Sequence, residues 1–123
     1  MKPSTHGLRV LAIAGWCIGW HAAGAHAQGM QEAMDYYDRQ QFALAQQTLV
    51  AAAETGVPGA RDVLGFMYAA GPGLFPGAQQ DTREAVRWFG LSARDGSPVA
   101  RHMACKLAHR LQDPRLQQQN CTP

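Results

Sequence analysis

The chain has 123 residues, a length that allows one domain, and its hydrophobic content of 46% fits a globular core. Eleven basic residues outnumber nine acidic ones, but Lys2 and Arg9 lie in an N-terminal segment with the features of a secretory signal. Without that segment nine basic residues face nine acidic ones, and the formal net charge is zero. Bulk charge therefore predicts no nucleic-acid partner.

The N-terminal segment combines three features of a cleaved secretory signal. It carries the two basic residues, an apolar run of about ten residues over 10–19, and a small-x-small cleavage site, Ala-His-Ala, at 25–27. An uncleaved anchor is the alternative, but a spanning helix needs about 20 apolar residues, whereas His21 follows soon after this run. We predict a signal peptide over 1–27, cleavage after Ala27, and a periplasmic or secreted protein that keeps no stable membrane anchor.

The charges of the predicted mature chain are segregated. Between residues 28 and 82 two basic residues accompany six acidic ones, whereas from Arg83 onward seven basic residues accompany three acidic ones. Such a dipole steers a partner or favours head-to-tail self-association, and an ordinary solvated face is the alternative. A homo-oligomer is left open.

Two cysteines, Cys105 and Cys121, follow the predicted cleavage site. In an exported chain a pair of cysteines favours a disulfide over a reactive couple. Closing a loop of this size stabilises a domain by about 3 kcal/mol in the chain-entropy treatment. Such a bond would matter in a domain whose core is modest.

The predicted mature sequence resembles itself at an offset of 40 residues. The matched pairs are Gln40 and Gln80, Ala45 and Ala85, Ala53 and Ala93, Gly56 and Gly96, Pro58 and Pro98, and Ala60-Arg61 and Ala100-Arg101. A period of this length in a helical pattern predicts a solenoid of helix pairs.

Hydrophobic spacing predicts five helices, a short stub near the C-terminus and no strand. A first pair covers 30–38 and 42–55, and apolar residues at helical spacing predict a third helix from residue 60. Asp81 and Glu84 form a capping signal for the fourth helix. Ser97-Pro98 begins the fifth helix with an N-cap hydroxyl and a proline in the first turn.

These elements predict an all-α fold, a short α-solenoid of about 2.5 to 3 helix-turn-helix repeats. The repeat domain covers 28–123. It divides into a partial unit over 30–56, a full unit over 57–96 and a partial unit over 97–121.

The full unit resembles the signature of the Sel-one-like repeat, a helical relative of the tetratricopeptide repeat. The residues that carry the resemblance are Ala60, Leu64, Gly65, Tyr68, Gly71, Gly73, Asp81, Ala85, Trp88, Phe89, Ala93 and Gly96. The third unit departs from the pattern, with Cys105 in place of glycine and Ala108 in place of tyrosine. The resemblance implies adaptor or assembly roles, often in envelope processes.

Small and large residues of this signature have complementary roles. Gly65 and the alanines let adjacent helices approach, while Tyr68, Trp88 and Phe89 fill the gap that the small residues leave. Gly71 and Gly73 allow the chain to reverse direction without a Cβ penalty.

The loop over 71–80 is longer than helical-hairpin repeats of about 34 residues require. Leu74 and Phe75 form an apolar pair near its tip. An exposed apolar pair on a loop is a candidate contact for a partner. The alternative is that Phe75 folds back onto its own helices.

One constellation of metal-ligand residues lies on the fifth predicted helix. His102, Cys105 and His109 follow at i, i+3 and i+7, so they share one face, and such a set suits zinc or copper. Cys121 competes as an oxidative partner of Cys105. We assign no metal site and no cofactor, and keep the three residues as a weak candidate.

The sequence contains no recognisable catalytic motif. The glycine-rich segment at 71–77 follows a helix and has no lysine after it, which argues against a phosphate cradle. Ser92 and Ser97 are the serines of the predicted mature chain, and neither begins an S-x-x-K or lies in a G-x-S-x-G motif. We assign no catalytic residue.

The function predicted from these observations is an exported, non-catalytic module that binds a protein or peptide on its helical-repeat surface. The first alternative is an envelope enzyme or β-lactam-binding protein, as has been discussed for cysteine-rich relatives of the resembled family. The second alternative is a metal-binding periplasmic protein.

Overall fold

The computed structural model describes residues 21–122, and for 21–23 and 25–27 it describes the backbone alone. The helices, in chain order, are α1 (His21–Asp38), α2 (Phe42–Glu54), α3 (Ala60–Ala70), α4 (Thr82–Arg94), α5 (Pro98–Arg110) and α6 (Pro114–Asn120). A 3-10 turn, Gly71–Gly73, follows α3. Residues 21–122 contain no strand, so the all-α prediction is confirmed for this part of the chain.

Helix α1 begins earlier than the sequence pattern predicts. The expected helix covered 30–38, whereas α1 starts at His21 and passes through the predicted cleavage site after Ala27. The stretch over 21–28 is rich in alanine, which has the highest helix propensity, so a helix forms here without an apolar stripe. The basic residues and apolar run of the predicted signal lie outside the described residues. Over residues 21–122 no helix is both long and apolar enough to cross a membrane.

Each helix packs mainly on its neighbour in the chain, from α1 on α2 through to α5 on α6. The buried side chains form two clusters that meet at α4. Trp88 belongs to the cluster shared by α1, α2 and α3, whereas Phe89 belongs to the cluster shared with α5. Both side chains are fully buried, and half-buried Tyr68 touches both clusters. Two successive residues of α4 therefore join the two halves of the core.

Close packing between α3 and α4 depends on Gly65. A Cβ at this position would lie 2.9 Å from three ring atoms of Phe89, closer than Cβ atoms approach other non-bonded atoms in proteins. The role predicted for Gly65 is therefore confirmed, because only a hydrogen leaves space for the aromatic ring.

Side-chain caps begin the last three helices. Asp81 accepts hydrogen bonds from the amides of Arg83 and Glu84, as the capping signal predicts. The Ser97 hydroxyl accepts from the amide of Ala100 at the start of α5. Such caps satisfy amides that have no partner inside the helix.

Two turns separated by 40 residues have the same backbone geometry. Gly56 and Gly96 both have positive φ, +79° and +103°. The amide that follows each glycine donates to a carbonyl five residues earlier, Val57 to Ala52 at 3.0 Å and Ser97 to Ser92 at 3.1 Å. This is the Schellman helix ending, in which glycine avoids the Cβ penalty of the left-handed conformation.

The loop between α3 and α4 is anchored at both ends. The amide of Asp81 donates to the carbonyl of Tyr68 at 2.9 Å. Gly71 has a φ of +59°, and a Cβ there would collide with the Cβ of Gln80. Gly73 differs from expectation, because its φ is not positive and a Cβ would meet nothing. Glycine is therefore required at Gly71 but not at Gly73.

Gln46 of α2 holds the middle of this loop. Its side-chain amide donates to the carbonyl of Gln79 at 3.0 Å, and its side-chain carbonyl accepts from the amide of Gln79 at 2.8 Å. The side chain of Gln46 is buried, so these bonds replace hydration that folding removes. No sequence pattern predicts this contact, since a glutamine on an alanine-rich helix is expected to face solvent.

Replacing Gln46 by alanine is expected to lower the free energy of unfolding by about 1–3 kcal/mol, because the Gln79 backbone loses both partners. Amide exchange of Gln79 should also become faster. Urea unfolding followed by circular dichroism and hydrogen exchange by NMR measure the two effects. The Gln47→Ala variant changes an exposed neighbour on the same helix and should leave both nearly unchanged. Equal effects in the two variants would contradict the anchoring role.

Candidate functional site

Most signature residues of the full repeat unit lie in the core. Seven of them are buried: Ala60, Leu64, Gly65, Gly71, Ala85, Trp88 and Phe89. Two are half-buried, Tyr68 and Ala93, and three are exposed, Gly73, Asp81 and Gly96. Burial raises the pKa of the Tyr68 hydroxyl, and the nearby Glu84 carboxylate raises it further. The signature therefore describes packing and turns.

Arg61 joins the ends of three helices. Its Nε donates to the carbonyl of Ala53 at 2.9 Å, at the end of α2. One terminal nitrogen of its guanidinium pairs with the carboxylate of Asp95, which caps the end of α4. The arginine side chain is mostly buried, with 18% of its surface exposed. The planar guanidinium suits this position because it presents several donors in a fixed geometry.

Asp62, the next residue of α3, binds both serines of the predicted mature chain. The hydroxyl of Ser92 donates to Asp62 at 2.6 Å, and the hydroxyl of Ser97 donates at 3.2 Å. Ser92 is buried on α4 and Ser97 caps α5. These hydroxyls therefore connect α3, α4 and α5 through one carboxylate.

An open cleft lies between the end of α4, the start of α5 and the end of α6. Its volume is about 650 Å³. The lining residues are Gly90, Ala93, Arg94, Arg101, Gln119, Asn120 and Thr122. We call this surface the α4–α6 cleft. Among the described residues no carboxylate lines it, and its two charged side chains are both arginines.

The floor of the α4–α6 cleft is the contact between Gly90 and Asn120. A Cβ on Gly90 would lie 2.8 Å from the side-chain oxygen of Asn120, so glycine lets α6 approach α4 closely. The side-chain amide of Asn120 donates to the carbonyl of Leu116 at 2.8 Å, which orients it within α6. A second cavity of about 310 Å³ continues along α4 and shares Gly90, Arg94, Gln119 and Asn120 with the cleft.

Asp113 fixes the start of α6 against α4. Its carboxylate accepts from Arg83 at 2.9 Å and from the amides of Arg115 and Leu116. These interactions, first the hydrogen bond from Arg83 and then the amide of Leu116, lower the pKa of Asp113 below its ordinary value. The charged carboxylate is therefore the form that caps α6.

The predicted cysteine pair is bonded. Cys105 of α5 and Cys121 after α6 form a disulfide, with their Cα atoms 4.7 Å apart. His109 places a ring nitrogen within 4.8 Å of both sulfur atoms, whereas His102 is not part of this group. The weak metal candidate His102, Cys105 and His109 is thus not brought together as a set. Sulfur atoms bonded to each other are also not thiolates, the form that binds metal.

The two members of the loop pair, Leu74 and Phe75, face different environments. Phe75 packs against the rings of Tyr37 and Phe42, with ring centroids 5.9 and 5.4 Å away. Leu74 remains 71% exposed. The folded-back alternative therefore describes Phe75, and only Leu74 is free for a partner. Another groove, lined by Gln47, Val50 and Tyr68 among others, lies near this loop.

One feature of the sequence points to the α4–α6 cleft. Arg61 and Arg101 are matched at the offset of 40, as are the alanines that precede them. This match assigns the two arginines the same place in successive units. The match does not predict that α6 is shorter than α4, and the cleft is open because α6 is short.

Comparison of the chain with protein-family models, with curated proteins and with solved structures finds no match. The assignment of the helices to a repeat family stays a proposal that depends on the residues described above.

Proposed function

We propose that this protein is an exported, non-catalytic interaction module, a short α-solenoid related to the Sel-one-like repeats, that binds a protein or peptide on its helical surface. One observation carries the proposal. The endings at Gly56 and Gly96 share their φ sign and their hydrogen bond at the 40-residue period of the sequence. Recurrence of a turn at the sequence period is what a stack of equivalent helix pairs requires.

The packing supports the same proposal. Helices that contact mainly their chain neighbours expose an extended surface for their number of residues, and solenoids use such surfaces for binding. The grooves on this surface are open, and their linings include amides, arginines and small residues beside apolar side chains. Export is supported by the charged, apolar and small-x-small pattern of residues 1–27.

Site-specific photo-crosslinking in the native cell envelope tests the proposal. A crosslinking residue at Gln119, which lines the α4–α6 cleft, or at Gln47, which lines the groove beside α2, should yield a discrete adduct with one protein. The same residue at exposed Lys106 of α5 is the matched control and should give none. Absence of any discrete adduct, or covalent labelling of the purified protein by a labelled penicillin, would overturn the proposal.

A further inference from the structure

Arg101 has the same place in its unit as Arg61 but lacks the same partner. Each arginine follows a fully buried alanine, Ala60 or Ala100, near the start of its helix. Arg61 forms an ion pair with Asp95. Among residues 21–122 the guanidinium of Arg101 takes part in no hydrogen bond or ion pair.

The difference arises from the length of the helix that closes each unit. Helix α4 has 13 residues and ends at Arg94, so its cap Asp95 reaches Arg61. Helix α6 has 7 residues, and the described residues at its end that line the cleft, Asn120 and Thr122, carry no carboxylate. The α4–α6 cleft occupies the space beside Arg101. The Arg61 site of the preceding unit contains the carboxylate of Asp95, whereas the described residues around Arg101 contain none.

The charges around the cleft favour an anion. Arg94 makes one long contact of 3.4 Å, to the carbonyl of Gly90 in its own helix. Arg83 and Arg87 line the adjoining cavity, but Asp113 pairs with Arg83 and Glu84 pairs with Arg87, so within residues 21–122 the lining charges without an acidic partner are those of Arg94 and Arg101. Arginines on a surface without a balancing number of carboxylates attract an acidic partner and hold carboxylates in fixed geometry.

We propose that the α4–α6 cleft binds an extended acidic segment of another protein, and that one carboxylate of this segment pairs with Arg101 as Asp95 pairs with Arg61. The inference rests on the proposed binding function and names the class of partner. The side-chain amide of exposed Gln119 supplies a hydrogen-bond donor for the backbone of the segment.

The shape of the cleft favours an extended segment over a helix or a second copy of this chain. Helices α4 and α6 touch at Gly90 and Asn120, so the floor is narrow, whereas a helix with side chains is about 10–12 Å across. The exposed acids of the first two helices are Glu32, Asp35, Asp38 and Glu54. Glu32 accepts from Tyr36 and Asp35 accepts from Gln31. All four carboxylates are held on helices, so a second copy would present them on a rigid helix and not on an extended segment.

Calorimetric titration tests the inference. The probe is a short peptide in which Glu and Asp alternate with Ser. The peptide should bind the wild-type protein, and a peptide with Gln and Asn in place of the acids should not. The double variant Arg94→Gln, Arg101→Gln should weaken binding by about tenfold or more, since each arginine loses a charge-assisted contact. Arg101→Lys should retain part of the affinity, because it keeps the charge but not the planar donor pair.

The Arg110→Gln variant controls for net charge, because Arg110 is exposed on α5 and does not line the cleft. It should change the affinity by less than about twofold. Circular dichroism of each variant verifies that it is folded. Equal weakening by the Arg94→Gln, Arg101→Gln double variant and by the Arg110→Gln variant, or binding of inorganic phosphate as tight as the peptide, would overturn the inference.

The outcomes separate this inference from the proposed function. A crosslinked partner that is retained when Arg94 and Arg101 are both replaced leaves the proposed function standing and removes the inference. Self-association that is lost in the double variant, measured by sedimentation, would assign the cleft to a second copy and also overturn the inference. Loss of both the crosslink and the peptide affinity in the double variant supports it.

Discussion

Replacing Phe89 by alanine is expected to lower the free energy of unfolding by about 3–5 kcal/mol, because the ring is fully buried and its removal leaves a cavity. The ring contacts Gly65 on α3 and packs edge-on against Phe66 at a centroid distance of 5.0 Å. It also belongs to the cluster with α5. The loss is a large fraction of the stability of an ordinary domain, about 5–15 kcal/mol. Urea unfolding followed by circular dichroism measures it.

The matched control is Phe66→Ala. Phe66 has the same side chain and is the partner of Phe89 in the edge-on pair, but it is 40% exposed. Its truncation removes part of a surface contact and leaves no enclosed cavity, so a loss of about 1 kcal/mol is expected. Similar losses for the two variants would show that Phe89 does not hold α3 and α5 on α4.

Removing the Cys105–Cys121 bond is expected to lower the free energy of unfolding by about 3 kcal/mol, because the bond closes a loop of this length and restricts the unfolded chain. The two cysteines are separated by 16 residues in sequence. The bond holds α6 on α5, and α6 contributes no fully buried residue of its own. Unfolding of the Cys105→Ser, Cys121→Ser variant, compared with wild type, gives the magnitude.

Reductant supplies the internal control for this experiment. It should lower the stability of the wild-type protein to that of the double serine variant and leave the variant itself unchanged. A wild-type protein that is unaffected by complete reduction, verified by thiol titration, would contradict a stabilising role. Because α6 forms one wall of the α4–α6 cleft, peptide affinity should fall together with stability.

Helix positions followed from the sequence because they depend on local signals. The cap at Asp81 and the Ser-Pro start at Ser97 act within a few residues, and both begin helices in the structure. The glycine at position 65 was also predictable, since its repeat neighbours include large aromatic residues. Helix ends differ from expectation by one or two residues, except at α1, where alanine-rich sequence extends the helix without an apolar pattern.

Contacts between distant residues were not predictable in this way. Gln46 and Gln79 are 33 residues apart, and Asp62 and Ser92 are 30 apart, with no pattern that pairs them. Each is a polar pair whose meaning depends on where two helices come together. The α4–α6 cleft was missed for a related reason, because its existence depends on how early α6 ends.

Trp88 makes the boundary between the two buried clusters at α4 accessible to fluorescence spectroscopy. From residue 28 onward Trp88 is the one tryptophan. It lies on α4, is 1% exposed and packs in the cluster shared by α1, α2 and α3. The guanidinium of Arg87 lies 4.0 Å from the centre of that ring. In a chain that starts at residue 28, indole fluorescence thus arises from one site, at the boundary between the two halves of the core. Its emission wavelength reports whether the first three helices still cover α4, while the far end of the molecule is silent.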